Sequence, residues 1–222
     1  MRKYITACMT IIFLLSFINI LNYYNDSKHT QQLITQTKSF INSTTQTYID
    51  HDSLLNNNTD YIGWLEVYET NIDYPFVQTK DNKYYLHHSF NKKKSDAGWV
   101  FLDYRNDIYK DKNIVIYAHD RKDKTMFGTL KNVFKKDNQL IKIYLKDKTY
   151  TYQVFSTYTI KTEDYYITTD FSNKSFSNFI KKKKKRSNHN YNINVNNNDY
   201  ILTLSTCYTK DKKLVVHAKR ID

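Results

Sequence analysis

Between residues 61 and 220 the apolar side chains come in short runs, and this pattern most constrains what the chain can fold into. The runs at 61–67, 71–78, 98–103, 113–119, 140–145, 149–159, 201–207 and 214–218 are rich in β-branched and aromatic residues and are bounded by clusters of Asn, Asp, Lys or Ser. Segments of this length with such borders read as strands. Period-two alternation is clear through Tyr150, Tyr152 and Val154, so the runs on either side of Lys146-Asp147-Lys148 predict a hairpin. The single proline, Pro75, lies in the 71–78 run; a residue without an N–H suits an edge strand or a bend. The predicted fold class is mostly β.

Helical spacing is confined to the segments around these runs. Leu33, Ile34, Phe40, Ile41, Tyr48 and Ile49 recur at near-helical intervals and predict one or two amphipathic helices within 28–55. A short helix is expected around 126–134. Phe176, Phe179 and Ile180 predict another over 171–186, ending on Lys181-Lys182-Lys183-Lys184-Lys185-Arg186; cations suit the C-terminal end of a helix dipole, and the run reads as a solvated helix end. The 222 residues carry a formal net charge of +12 and suffice for one folded core. No helix-turn-helix, zinc or stacking motif accompanies that charge, so no nucleic-acid partner is indicated. No Gly-rich phosphate loop and no carboxylate cluster of metal-ligand spacing is present, and no cofactor is expected.

Arg2 and Lys3 precede the run 5–21, which holds no charged residue. Its length falls at the short end of the roughly 17 to 25 residues that span a bilayer. Asn22-Tyr23-Tyr24-Asn25-Asp26 follows where a small-x-small cleavage site would stand, which favours an uncleaved anchor over a removed signal peptide. Positive charge ahead of the span places the N-terminus in the cytoplasm and the remainder outside the cell. The expected organisation is a cytoplasmic tip and transmembrane anchor at 1–24, a helical linker at 25–60 and the β unit at 61–222, on a single-pass protein of the cell membrane. Cys8 lies inside the span and Cys207 in the exterior unit, so the two cysteines cannot pair. An unpaired thiol outside the cell is a candidate reactive group.

Cys207 closes the run Ile201-Leu202-Thr203-Leu204-Ser205-Thr206-Cys207, ahead of the charged Lys210-Asp211-Lys212-Lys213, which reads as a solvent loop. His119 closes another. A thiol is mostly protonated at neutral pH; an imidazole beside it raises the thiolate fraction and can later protonate a leaving amine. Among the other histidines, His29 and His51 fall in the linker, His87 and His88 after an aromatic segment and His189 in a polar loop. Only His217 also lies within an apolar run.

Six stretches in order carry a resemblance: Trp64-Leu65, Ile72-Asp73-Tyr74-Pro75-Phe76-Val77-Gln78, Asp81-Asn82-Lys83-Tyr84-Tyr85-Leu86, Phe101-Leu102-Asp103-Tyr104-Arg105-Asn106, Asn113-Ile114-Val115-Ile116-Tyr117-Ala118-His119 and Leu202-Thr203-Leu204-Ser205-Thr206-Cys207. Over nearly all of its length outside the anchor the chain resembles a class B sortase, one of the membrane-anchored transpeptidases of Gram-positive bacteria. The resemblance implies an eight-stranded β-barrel with N-terminal helices and a helix between strands six and seven. It implies that Cys207 attacks the Thr carbonyl of a C-terminal sorting motif, NPxTN-like or related, and holds a thioacyl-enzyme. An amine of a peptidoglycan precursor then joins the surface protein to the wall. His119 would be the imidazole partner. Asn82, Leu86 and Ser205 would line the peptide groove, and Thr206 would help to place the scissile carbonyl.

One position departs from the family. Class B sortases open a strand of form R-x-V-x-H with an arginine that serves the substrate and the oxyanion, and Lys213-Leu214-Val215-Val216-His217 puts Lys213 there. Lysine keeps the charge and loses the planar two-donor fork; loss of one oxyanion donor lowers turnover by about 10² to 10³. Arg220 falls on the opposite strand face from Lys213, and Arg121 follows His119 in a loop. The alternative expectation is therefore a sortase-fold protein of weak or no catalysis that binds sorting signals or wall peptides. An L,D-transpeptidase also uses cysteine and histidine at the wall, but its S-x-G-C arrangement is missing.

Overall fold

The computed structural model describes residues 2–42, 48–161, 167–171, 173–209 and 211–222. The chain opens with α1 (Arg2–Lys38), a two-residue ladder of β1 (Ile41–Asn42) and β2 (Tyr48–Ile49), and α2 (His51–Asn57). Thr30, Leu33, Ile34 and Thr37 are the buried residues of α1, at the i, i+3, i+4, i+7 spacing that puts them on one face. Asp50 caps α2 by accepting from the Ser53 N–H.

Eight strands follow: β3 (Tyr61–Val67), β4 (Asp73–Val77), β5 (Phe101–Leu102), β6 (Asn113–Tyr117), β7 (Leu140–Tyr144), β8 (Thr149–Lys161), β9 (Ile201–Thr209) and β10 (Lys212–Arg220). They close into a barrel in the order β10-β8-β7-β3-β4-β5-β6-β9. This is the mostly β, eight-stranded fold expected, and α3 (Asn173–Arg186) lies between the sixth and seventh barrel strands. Alternation decides what fills the barrel. On β10, Leu214, Val216 and Ala218 join the main core with Trp64, Phe76 and Ile116, while Val215 packs on the other face with Tyr158 and Ile160.

Several elements differ from the reading of the sequence. The 98–103 run yields only two strand residues, because Gly98 adopts a left-handed turn at φ +58°. The 126–134 segment holds a 3₁₀ turn over Leu130–Val133. Pro75 lies in a closed barrel with no edge: it pairs with Trp64 on one side, and on the other β4 meets β5 only at Val77, so no ladder bond is asked of its nitrogen. Lys212 and Lys213 belong to β10, and β9 continues to Thr209, so Cys207 lies inside its strand. The run of lysines on α3 is not uniformly solvated: Lys183 is only 2% exposed, under the helix, with its ammonium 4.6 Å from the centre of the Phe179 ring.

Candidate active site

Strand order brings together residues far apart in sequence. β6 and β9 are parallel neighbours, with Tyr117 opposite Ser205. Two residues further along each lie His119 and Cys207, so both reach the same rim of the barrel. β10 returns antiparallel to β9 and sets Lys213 opposite Cys207. Lys212 pairs with Thr209, which leaves one extra residue on β9 beside Cys207; such bulges re-aim a strand locally. The side chain of Cys207 lies outside the described residues.

At this rim a pocket of about 270 Å³ is lined by Asn82, Leu86, His119, Ser205, Thr206 and Lys213, together with Phe101, Tyr117, Ala118 and Ile167. His119 Nε2 lies 2.8 Å from the Leu86 carbonyl oxygen. A carbonyl only accepts, so Nε2 carries the proton, and Nδ1 is the nitrogen left for proton exchange. Gly98 packs behind this pair. A Cβ there would come within 2.5 Å of the Tyr85 carbonyl, 2.9 Å of the Leu86 carbonyl and 3.1 Å of His119 Cδ2.

The opposite wall rests on a buried carboxylate. Asp103 accepts from Asn82 Nδ2 at 3.0 Å, from the Tyr117 hydroxyl at 2.8 Å and from Arg105 at 2.9 and 2.8 Å. Burial opposes its charge, and the bonds from Arg105, Tyr117 and Asn82 overcome that and hold its pKa below the usual carboxylate value. Asn82 Oδ1 accepts the Tyr104 N–H, so its amide is oriented from both ends. Neither Asp103 nor Tyr117 stands out as a site residue in the sequence. The signal for Tyr117 was its position two residues before His119, on the same side of the strand. Thr206 is nearly fully buried, and its Oγ1 has no hydrogen-bond partner among the described residues.

The two arginines are held elsewhere. Arg121, 7% exposed, is paired with Asp26 at 3.1 Å and Asp123 at 2.7 Å. Arg220 lies over the rings of Tyr200 and Tyr150. Lys213 is the cation of the three that lines the pocket. His217 has a structural place: fully buried, it joins the Thr203 and Tyr158 hydroxyls, each at 2.8 Å.

The sortase domain matches residues 65–221 of the chain. The sortase B of Listeria monocytogenes is 34% identical over 226 residues, covering 94% of this chain and 90% of the relative. Among solved structures, the sortase B of Bacillus anthracis superposes with a TM-score of 0.80 at 31% identity, over 90% of this chain and 99% of that one. A Staphylococcus aureus sortase B–substrate complex gives a TM-score of 0.73 at 31% identity over 94% and 99%. With the eight-stranded barrel and a family domain spanning most of the molecule, the chain belongs to the class B sortases and is a cell-wall sorting transpeptidase of the cysteine type.

Proposed function

We propose that Cys207 is the nucleophile of this transpeptidase and His119 its acid–base partner. The observation that carries this is the parallel register of β6 and β9, which brings positions 119 and 207 to one rim beside a pocket sized for a few peptide residues. His119 Nδ1 takes the proton of the Cys207 thiol, and the thiolate attacks the Thr carbonyl of an NPxTN-like or related sorting motif. The C–N bond breaks, and a proton from His119 Nδ1 leaves with the amine of the released tail. An amine of a peptidoglycan precursor then attacks the thioacyl carbon, gives its proton to Nδ1 and regenerates the thiolate. Asn82, Leu86 and Ser205 line the bound peptide. The Thr206 hydroxyl, without a partner among the described residues, is a donor kept for substrate. Lys213 supplies positive charge near the developing oxyanion. The substrate-bound S. aureus relative supports a peptide in the corresponding groove.

The long apolar stretch of α1 supports a single-pass anchor, with residues 1–24 as tip and span, the N-terminus inside the cell and the barrel outside. Full-length chain in detergent, offered quenched peptides with NPxTN-like, SPxTG-like and LPxTG motifs, tests the assignment. Cleavage of at least one is expected and is lost in Cys207→Ala and His119→Ala; cleavage that survives either substitution defeats it.

The alternative, a binder of sorting signals with weak catalysis, is favoured by one observation, the lysine at position 213. Under it, Lys213→Arg raises turnover about 10²- to 10³-fold, the range one oxyanion donor commands. Unchanged turnover shows that lysine suffices or that another residue acts.

A further inference from the structure

His119 is held between two loops, and both are tied to one residue of α1. On its C-terminal side the chain folds back tightly. The Phe127 N–H donates to the His119 carbonyl at 2.9 Å, Asp120 bridges Met126, and Lys124 and Met126 both adopt positive φ. Non-glycine residues hold such angles only where the surroundings impose them. Arg121 and Asp123 supply that constraint. The Arg121 guanidinium donates to Asp123 Oδ2 at 2.7 Å and to Asp26 Oδ2 at 3.1 Å, and lies 4.9 Å from the centre of the Tyr23 ring. Asp123 in turn accepts from Ser27 Oγ at 2.6 Å and from Thr125.

On the other side lies the turn of residues 95–98, whose Gly98 abuts the imidazole and the Leu86 carbonyl that fixes its tautomer. Asp26 Oδ1 accepts from Ser95 Oγ at 2.7 Å and from the Asp96 N–H at 3.2 Å. Thus one carboxylate grips, with one oxygen each, the loop that follows His119 and the turn that backs its ring. Asp26 stands on the stretch of α1 that follows directly from the apolar run.

We infer that Asp26, acting through Arg121 and Ser95, is a positioning residue for His119, so that docking of the juxtamembrane turn of α1 sets the geometry of proton transfer. The inference rests on the assignment of His119 as the acid–base group. Its effect falls on kcat, because the imidazole moves while the walls that contact the peptide stay in place. The requirement is electrostatic as well as steric: a buried guanidinium facing two carboxylates loses its arrangement when one becomes an amide.

The test uses the full-length chain in detergent, with steady-state cleavage of the preferred peptide and the thermal midpoint of each variant. Asp26→Asn and Arg121→Gln should each lower kcat about tenfold with KM unchanged. The double variant should be no slower than the slower single, since the two side chains act as one unit. Leu33→Ala loosens the same helix through its apolar face and controls for stability: it lowers the midpoint but leaves kcat within twofold. In the 15N spectrum, the His119 Nε2–H resonance shifts or broadens in Asp26→Asn and not in Leu33→Ala. Wild-type kcat in Asp26→Asn, additive losses in the double variant, or an equal kcat loss in Leu33→Ala would each overturn the inference. His119→Ala separates the two claims: if it retains activity the site assignment fails, and if it is inactive while Asp26→Asn is normal only the positioning role fails.

Discussion

Gly98 and Thr206 show how much of the site turns on single atoms. Gly98 adopts φ +58° with two carbonyl oxygens and the imidazole where a Cβ would go. Gly98→Ala should therefore cost about 1 to 3 kcal/mol of stability from the strained backbone and lower peptide turnover by displacing His119, as denaturant unfolding and cleavage rates would show. Thr206 makes the opposite prediction. Its buried hydroxyl has no partner among the described residues, so Thr206→Val should leave stability unchanged or raise it by about 1 kcal/mol while lowering turnover. Equal turnover in the two would mean that the hydroxyl does not serve the substrate. The residue types at 119, 206 and 207 were legible in the sequence because they lie in compact matched stretches. The buried carboxylate of Asp103 was not, since an Asp at the end of an apolar run gives no sign that three side chains converge on it.

At the scale of elements, α3 covers the outer face of the β8–β10 sheet and traps two basic groups. Burial, reinforced by the charges of Arg186 and Lys182, lowers the Lys183 pKa to about 7. Burial, then the charges of Lys183 and Arg186, lowers that of His217 well below its ordinary value. Both unfolded groups therefore bind protons that the folded groups release. For His217 stability is lost as pH falls below about 6.5. For Lys183 stability rises from about pH 7 towards 10, by up to about 1.4 kcal/mol per pH unit. Lys183→Met should remove the second slope and raise the thermal midpoint at pH 6 to 7, measured by melting wild type and variant across pH 6 to 10. A uniformly basic run in the sequence conceals this, because helical periodicity assigns one lysine of the five to the buried face only once the helix has docked.

At the scale of the molecule, α1 is about 55 Å long at 1.5 Å per residue, more than the roughly 30 Å of a hydrocarbon core. Its apolar N-terminal part is exposed and its C-terminal part packs on the barrel through Leu33 and Ile34. Lys38 ends the helix on Asp73 of β4 at 2.7 Å. The anchor proposal predicts that the full-length chain stays in the membrane fraction through alkaline carbonate extraction. Removal of residues 2–21 should release it; extraction of the intact chain would remove the case for a span. The sequence by itself determined the strand class, the family and the chemical types at the rim, because hydrophobic period and short motifs are local properties. Only the tertiary structure decided that Lys213, and neither Arg121 nor Arg220, shares the pocket with His119. Parallel pairing of β6 with β9 and the docking of α1 are contacts between segments far apart in the chain, and no local pattern encodes which distant charge will neutralise which.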